Sequence, residues 1–219
     1  MAGDMNHALL LAQSICWDEG YGYKLGGNAS SHSGGVDCGG LVFHCLHAAG
    51  YTSIPDTSPG VRWMAGYLSA AGFVSMPYSG NLSDLQHGDI VTCLHYNSGG
   101  SLEHGHTFFL AQDITAYVNG ASGHNYCDGT TGICSYAKVE ASYDWDPDPG
   151  DQDNGLGCHP EVWCHAFGSL YDTERYTQSD ITIWRDPNYH PGGDEDGERA
   201  LAALYLLFQH VDRKKRRIF

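Results

Sequence analysis

The stretch GVDCGGLVFHCLHAAG, residues 35–50, decides the reading of the fold. Its apolar side chains Leu41, Val42, Cys45, Leu46 and Ala49 recur at helical spacing. The pattern therefore predicts a helix that starts at Cys38, takes Asp37 as its N-cap and stops at Gly50. Such a helix has one apolar face and must pack on another element. It also sets a thiol at its own N-terminus. There the positive end of the helix dipole favours a thiolate, and backbone N–H groups without helical partners can receive a developing oxyanion. Gly39 and Gly40 add no side chain at that end, so another chain can approach closely. A cysteine at an arbitrary position is more often a small core residue; the place at the helix start sets Cys38 apart.

Upstream, residues 5–19 set Ala8, Ala12, Ile15 and Cys16 on one helical face, and a Gly/Ser-rich loop follows over 20–36. Downstream, a third helix is predicted over about 59–71, opened by Pro59 and burying Met64, Leu68 and Ala71. From residue 85 the period changes. DIVTCLHY (89–96), HTFFLA (106–111), TAYVNGA (115–121) and ITIW (181–184) are short β-branched or aromatic runs between turn residues, and predict an antiparallel sheet. The expected class is α+β, with N-terminal helices packed on that sheet. Residues 123–170 show little periodicity and read as an elaborated loop insertion. HPGGDEDG, 190–197, reads as a linker, and 198–219 as a C-terminal helix with a basic tail. The body of the protein is then one domain, 1–189.

Composition narrows the function. The 219 residues include 29 Gly, 14 Tyr and 5 Trp, which suits turns, short strands and an aromatic-lined groove better than a helical bundle. The formal net charge of -15 argues against nucleic acid as a partner, because phosphates need a basic surface. Five of the 11 basic residues form one run, Arg213 to Arg217, which leaves 6 basic against 26 acidic side chains in residues 1–212. The acidic body and the cationic tail are separate electrostatic objects.

Two further segments supply partners for a thiol. His106 heads an apolar strand in GHTFFLA and is the candidate general base; His104 is its rival, set further from the apolar run. Asn119, on the next predicted strand, is a candidate for orienting the imidazole through its other ring nitrogen. Asn119-Gly120 as a plain hairpin turn, with His124 in the third role, is the alternative.

Five segments, GYGYKLGGN (20–28), GVDCGGLVFHCLHAAGY (35–51), LQHGDIV (85–91), GHTFFLAQD (105–113) and AYVNGASG (116–123), follow in the order and spacing of the NlpC/P60 superfamily. The chain thus resembles these papain-like peptidoglycan hydrolases over residues 5–123, in particular bacteriophage amidase-type endolysins. The resemblance implies a papain-like NlpC/P60 fold and a cysteine-dependent cleavage of an amide bond in the stem peptide, by an endopeptidase or an N-acetylmuramoyl-L-alanine amidase. It assigns Cys38 as nucleophile, His106 as base, Asn119 as third polar residue and Tyr23 as a hydroxyl near the oxyanion. Asp37 takes the position that contacts the substrate's amino group, and Gly39 stands where a serine is usual. Bacterial peptidoglycan is the implied partner. A deamidase or transferase acting on a protein, and a non-catalytic cell-wall-binding module, are the rival functions.

No cofactor is expected. The acidic run DWDPDPGDQDNG, 144–155, carries oxygen ligands that suit calcium but reads first as a solvated loop. Cys127, Cys134, Cys158 and Cys164 lack the tight spacing of common structural zinc sites, which leaves zinc and disulfides as lesser readings. His44 and His47 share a helix face and read as solvent-facing or groove-edge residues rather than metal ligands. The apolar helix ERALAALYLLFQHV and the basic tail suit self-association or an anionic surface. Neither a Sec signal nor a membrane-spanning run is visible, so the expectation is synthesis in the host cytoplasm and action on the wall after release.

Overall fold

The computed structural model of the chain describes residues 3–17, 24–30, 35–80, 84–111, 137–139, 141 and 176–190. Three helices come from the N-terminal third: α1, Met5–Trp17; α2, Cys38–Ala48; and α3, Met64–Ala70. Among the described residues five strands form one sheet: β1, Val74–Pro77; β2, Ile90–Tyr96; β3, Leu102–Ala111; β4, Ala137–Val139; and β5, Ile181–Arg185. Their order is β1-β5-β2-β3-β4, and every neighbouring pair is antiparallel. The architecture is α+β. The chain divides into two compact units, Met1–Tyr189 and His190–Phe219. The expected strand at 115–121 and the C-terminal helix at 198–211 lie outside the described residues.

Local chemistry sets the helix boundaries. Asp37 caps α2 as its sequence requires, accepting from the Gly40 amide at 2.6 Å, and α2 ends before Gly50, whose φ of 94° suits glycine. The third helix begins later than Pro59 suggests. Gly60 takes a φ of 107°, so helical geometry starts only after it, first as a 3-10 turn over Val61–Trp63 and then as α3. Ala71 caps α3 and is half-buried, while Met64 and Leu68 fill the core as expected.

The sheet has two covered faces. Ile90 of β2, Phe109 of β3 and Trp184 of β5 join α1, α2 and α3 in one core. Val91 and Cys93 of β2, Phe108 and Leu110 of β3, and Ile181 and Ile183 of β5 form a second core with Tyr78 and Leu85 on the opposite face. Successive side chains of a strand point to opposite faces, so position parity assigns each residue to the helix face or the far face. Two strands escaped the pattern. β1 is mostly exposed at the edge, and β4 is a three-residue strand inside the stretch read as an elaborated loop.

Polar networks fasten the ends of these elements. Tyr51, after α2, donates to Asp186 beyond β5 at 2.5 Å; burial, then this carboxylate, push the phenol far above its usual range. Near the start of α1, the Tyr189 hydroxyl bonds Asn6 Oδ1 and His87 Nδ1, each at 2.8 Å. The Tyr189 proton goes to the amide oxygen, so His87 donates its Nδ1 proton to the hydroxyl. Burial lowers the His87 pKa to about 4, below its ordinary 6.5. Its contribution to stability is therefore complete above about pH 6.5 and is lost as pH falls toward about 4. His87→Gln should lose less stability than the wild type between those limits, by up to about 3 kcal/mol. Denaturant unfolding of both proteins at the two pH values measures that difference.

Candidate active site

α2 holds Cys38 as its first residue, 7% exposed and outside any disulfide. The loop before it is fixed from both sides. Asp37 accepts from Gly40 N with one oxygen and from Gly26 N at 2.7 Å with the other, while Lys24 N donates to Val36 O. A Cβ on Gly40 would overlap the Gly27 carbonyl, which explains the second glycine of the motif. Leu41 N closes the first helical bond onto Asp37 O. The amides of Cys38 and Gly39 then have no acceptor among the described residues, as expected of the first turn of a helix. Two N–H groups beside a thiol at the positive end of a helix form an anion-receptive arrangement.

Ser58 is the residue that sequence reasoning missed. Its Oγ lies 2.6 Å from the point where a Cβ on residue 39 would stand, and it accepts from Gly60 N at 3.1 Å. The Ser58 hydroxyl of the following loop thus stands against position 39, a proximity no local motif could reveal. Gly39→Ser should consequently cost about 1–2 kcal/mol, because Ser58 must abandon its rotamer and its bond to Gly60. Adding Ser58→Ala should return most of that loss; a double-mutant cycle by thermal unfolding measures the coupling.

His106 sits on β3 directly opposite Cys93 of β2. Phe108, two residues on, packs at 5.7 Å between ring centroids, and both Phe108 and Cys93 belong to the far-face core. The imidazole therefore lies on the sheet face away from α2. The expected Cys38–His106 pair is not brought together, and no hydrogen bond joins Cys38 to a described side chain. The β3 residues directed to the helices near this end are Gly105, whose nearest neighbours include Val61, and Thr107, which donates to Val91 O at 2.9 Å. Tyr23, Asn119 and the alternative His124 lie outside the described residues, as do the acidic run 144–155 and Cys127, Cys134, Cys158 and Cys164.

His104 shares the far face. Its ring lies 6.3 Å from that of His95 in a stacked orientation and meets Tyr176 edge-on at the same distance. His95 Nδ1 in turn bonds Asp180 at 3.0 Å. Burial acts against ionisation of Asp180, but the Thr177 amide and His95 outweigh it and hold the carboxyl below its usual range. Among the described residues no three His, Cys, Asp or Glu side chains form a group fit for a metal ion. Among them, too, no helix is long and apolar enough to cross a membrane. No protein-family model, curated protein or solved structure matches the chain.

Proposed function

We propose that the protein is a cysteine-dependent hydrolase of amide bonds in the peptide part of bacterial peptidoglycan, with Cys38 as nucleophile. The observation that carries this reading is the start of α2: a thiol at the helix N-terminus, two adjacent backbone N–H groups without acceptors among the described residues, and a carboxylate cap on the third. The five ordered motifs direct it toward peptidoglycan. The Cys38 thiolate would add to the carbonyl carbon, the N–H groups of Cys38 and Gly39 would hold the oxyanion, and collapse would release the amine and leave a thioester for water to cleave. An imidazole would take the thiol proton and return it to the leaving amine; His106 is the base the motifs suggest, although its ring packs with Phe108 on the far face of the sheet.

A second reading has a specific observation in its favour. Cys38 is nearly buried and makes no described bond to an imidazole, as a retained shell of the fold used only for wall binding would have it. Digestion of purified walls of several chemotypes separates the two. Soluble peptides with new amine termini are expected, and mass spectrometry of them identifies the bond. Wall binding without release of any fragment would establish the non-catalytic module; release of ammonia from protein glutamine with walls intact would establish a deamidase.

A further inference from the structure

We propose that His95 and His104 form a two-imidazole site for a divalent cation of borderline softness, such as zinc, on the sheet face opposite α2. The two residues are direct partners across β2 and β3. Opposite positions on antiparallel strands put their side chains on one face, with Cβ atoms roughly 4.5–5.5 Å apart. The rings follow the backbone: their planes lie within 21° of each other and their centres are 6.3 Å apart. Two imidazoles that share an ion through Nε2, with Zn–N bonds of about 2.0–2.1 Å, have ring centres roughly 4.5–6.5 Å apart. The pair therefore stands at the open end of the chelating range, and a small turn of either ring about χ2, a soft torsion in histidine, closes it.

Hydrogen bonds prepare the first ring. His95 Nδ1 lies 3.0 Å from Asp180 Oδ2, and an ionised carboxylate only accepts, so Nδ1 carries the proton and Nε2 keeps its lone pair. Asp180 is held in turn: Oδ2 accepts from Thr177 N at 2.7 Å and from Thr177 Oγ1 at 3.0 Å, in the capping box of the 3-10 turn Gln178–Asp180. A carboxylate on the Nδ1 proton is the outer-shell pattern of metal-binding histidines, where it fixes the tautomer and raises the basicity of the ligand. His104 makes no hydrogen bond among the described residues, so an ion breaks none there, and Tyr176 meets its ring edge-on. The His95 side chain is 33% exposed and His104 is half-buried, which lets an ion arrive from solvent. His106, two residues along β3, packs on Phe108. With no third His, Cys, Asp or Glu completing the group among the described residues, water fills the remaining positions, which suits imidazole-seeking cations and not calcium or magnesium. An ion held there clips β2 to β3 beside the register shift between His95 and Tyr96.

The test is a zinc(II) titration of the full chain, followed at the ring nitrogens of individual histidines by NMR, which separates this pair from zinc taken up by cysteines. The His95 and His104 signals should move together with one midpoint. His104→Gln should raise the zinc concentration needed to move His95 by at least ~10-fold, His95→Gln should do the same to His104, and Asp180→Asn should raise both midpoints by ~10–100-fold. Thermal unfolding without metal confirms that the variants fold. Separate midpoints for the two rings, an unchanged His95 midpoint in folded His104→Gln, or two rings that stay still while other histidines respond would each overturn the site.

Discussion

Cys38→Ala and Cys38→Ser should each reduce the release of peptides from purified walls to background, a loss of at least ~10³-fold, while the protein stays folded. The expectation rests on chemistry at one atom. Serine at a helix N-terminus keeps the hydrogen-bonding capacity of the site, but its hydroxyl is far less acidic than a thiol, and the dipole that helps form a thiolate cannot supply an alkoxide. Alanine removes a single sulfur from a nearly buried position and should cost about 1 kcal/mol of stability, visible as a small shift in Tm. Activity that survives either change would sink the nucleophile assignment. His106→Ala then distinguishes two arrangements. An inactive but folded variant would require β3 to present that imidazole to the helix side during turnover. An active one would leave His106 as a far-face residue beside Phe108 and Cys93.

The side of the sheet that this imidazole takes could not be read from the sequence, for a physical reason. α2 was legible because three independent signals agree over 37–50: a capping Asp, a helical apolar period and a terminal Gly. β3 lacks any such agreement. Thr107, Phe108, Phe109 and Leu110 are all buried, since both faces of the sheet are covered there, so no alternation of apolar and polar residues marks which parity faces the helices. The pairing also slips between His95 and Tyr96, where Tyr96 meets Leu102 while His95 meets His104. A bulge inverts parity on its far side, and Gly105, the one glycine in EHGHTFFLA, stands in regular register opposite Leu94 and does not mark it. β1 was illegible for a different reason: Val74, Ser75 and Pro77 are exposed at the sheet edge, where Pro77 is tolerated and apolar patterning is not required. The approach of the Ser58 hydroxyl to Gly39 depends on tertiary proximity and leaves no trace in local spacing.

The largest expected loss of stability comes from Arg185→Met. Arg185, the last residue of β5, donates through Nε and Nη2 to the two carboxylate oxygens of Asp89, each at 2.7 Å, and through Nη2 to the Asp84 carbonyl at 2.6 Å. Asp89 is completely buried just before β2, so the pair fastens two neighbouring strands where Ile90 meets Trp184. Burial raises the Asp89 pKa more than Arg185 and the Gln86 amide lower it, which means that the carboxylate is carried in the fold at a net cost even with its partner. Removing the guanidinium leaves that charge uncompensated and should cost about 3–5 kcal/mol near neutral pH. Asp89→Asn should cost less, because the Arg185 side chain is 21% exposed and can turn toward water. The sign of the pH effect follows from the raised pKa. Protonation of Asp89 is easier in the fold than in the unfolded chain, so the deficit of Arg185→Met should shrink as pH falls and the carboxyl becomes neutral. The double variant, Asp89→Asn with Arg185→Met, should be more stable than Arg185→Met alone, since it buries no unpaired charge. Urea unfolding of the four proteins at neutral and mildly acidic pH measures each step, and an Arg185→Met deficit that grows on acidification would show that the cost lies in lost packing of the arginine stem and not in the stranded carboxylate.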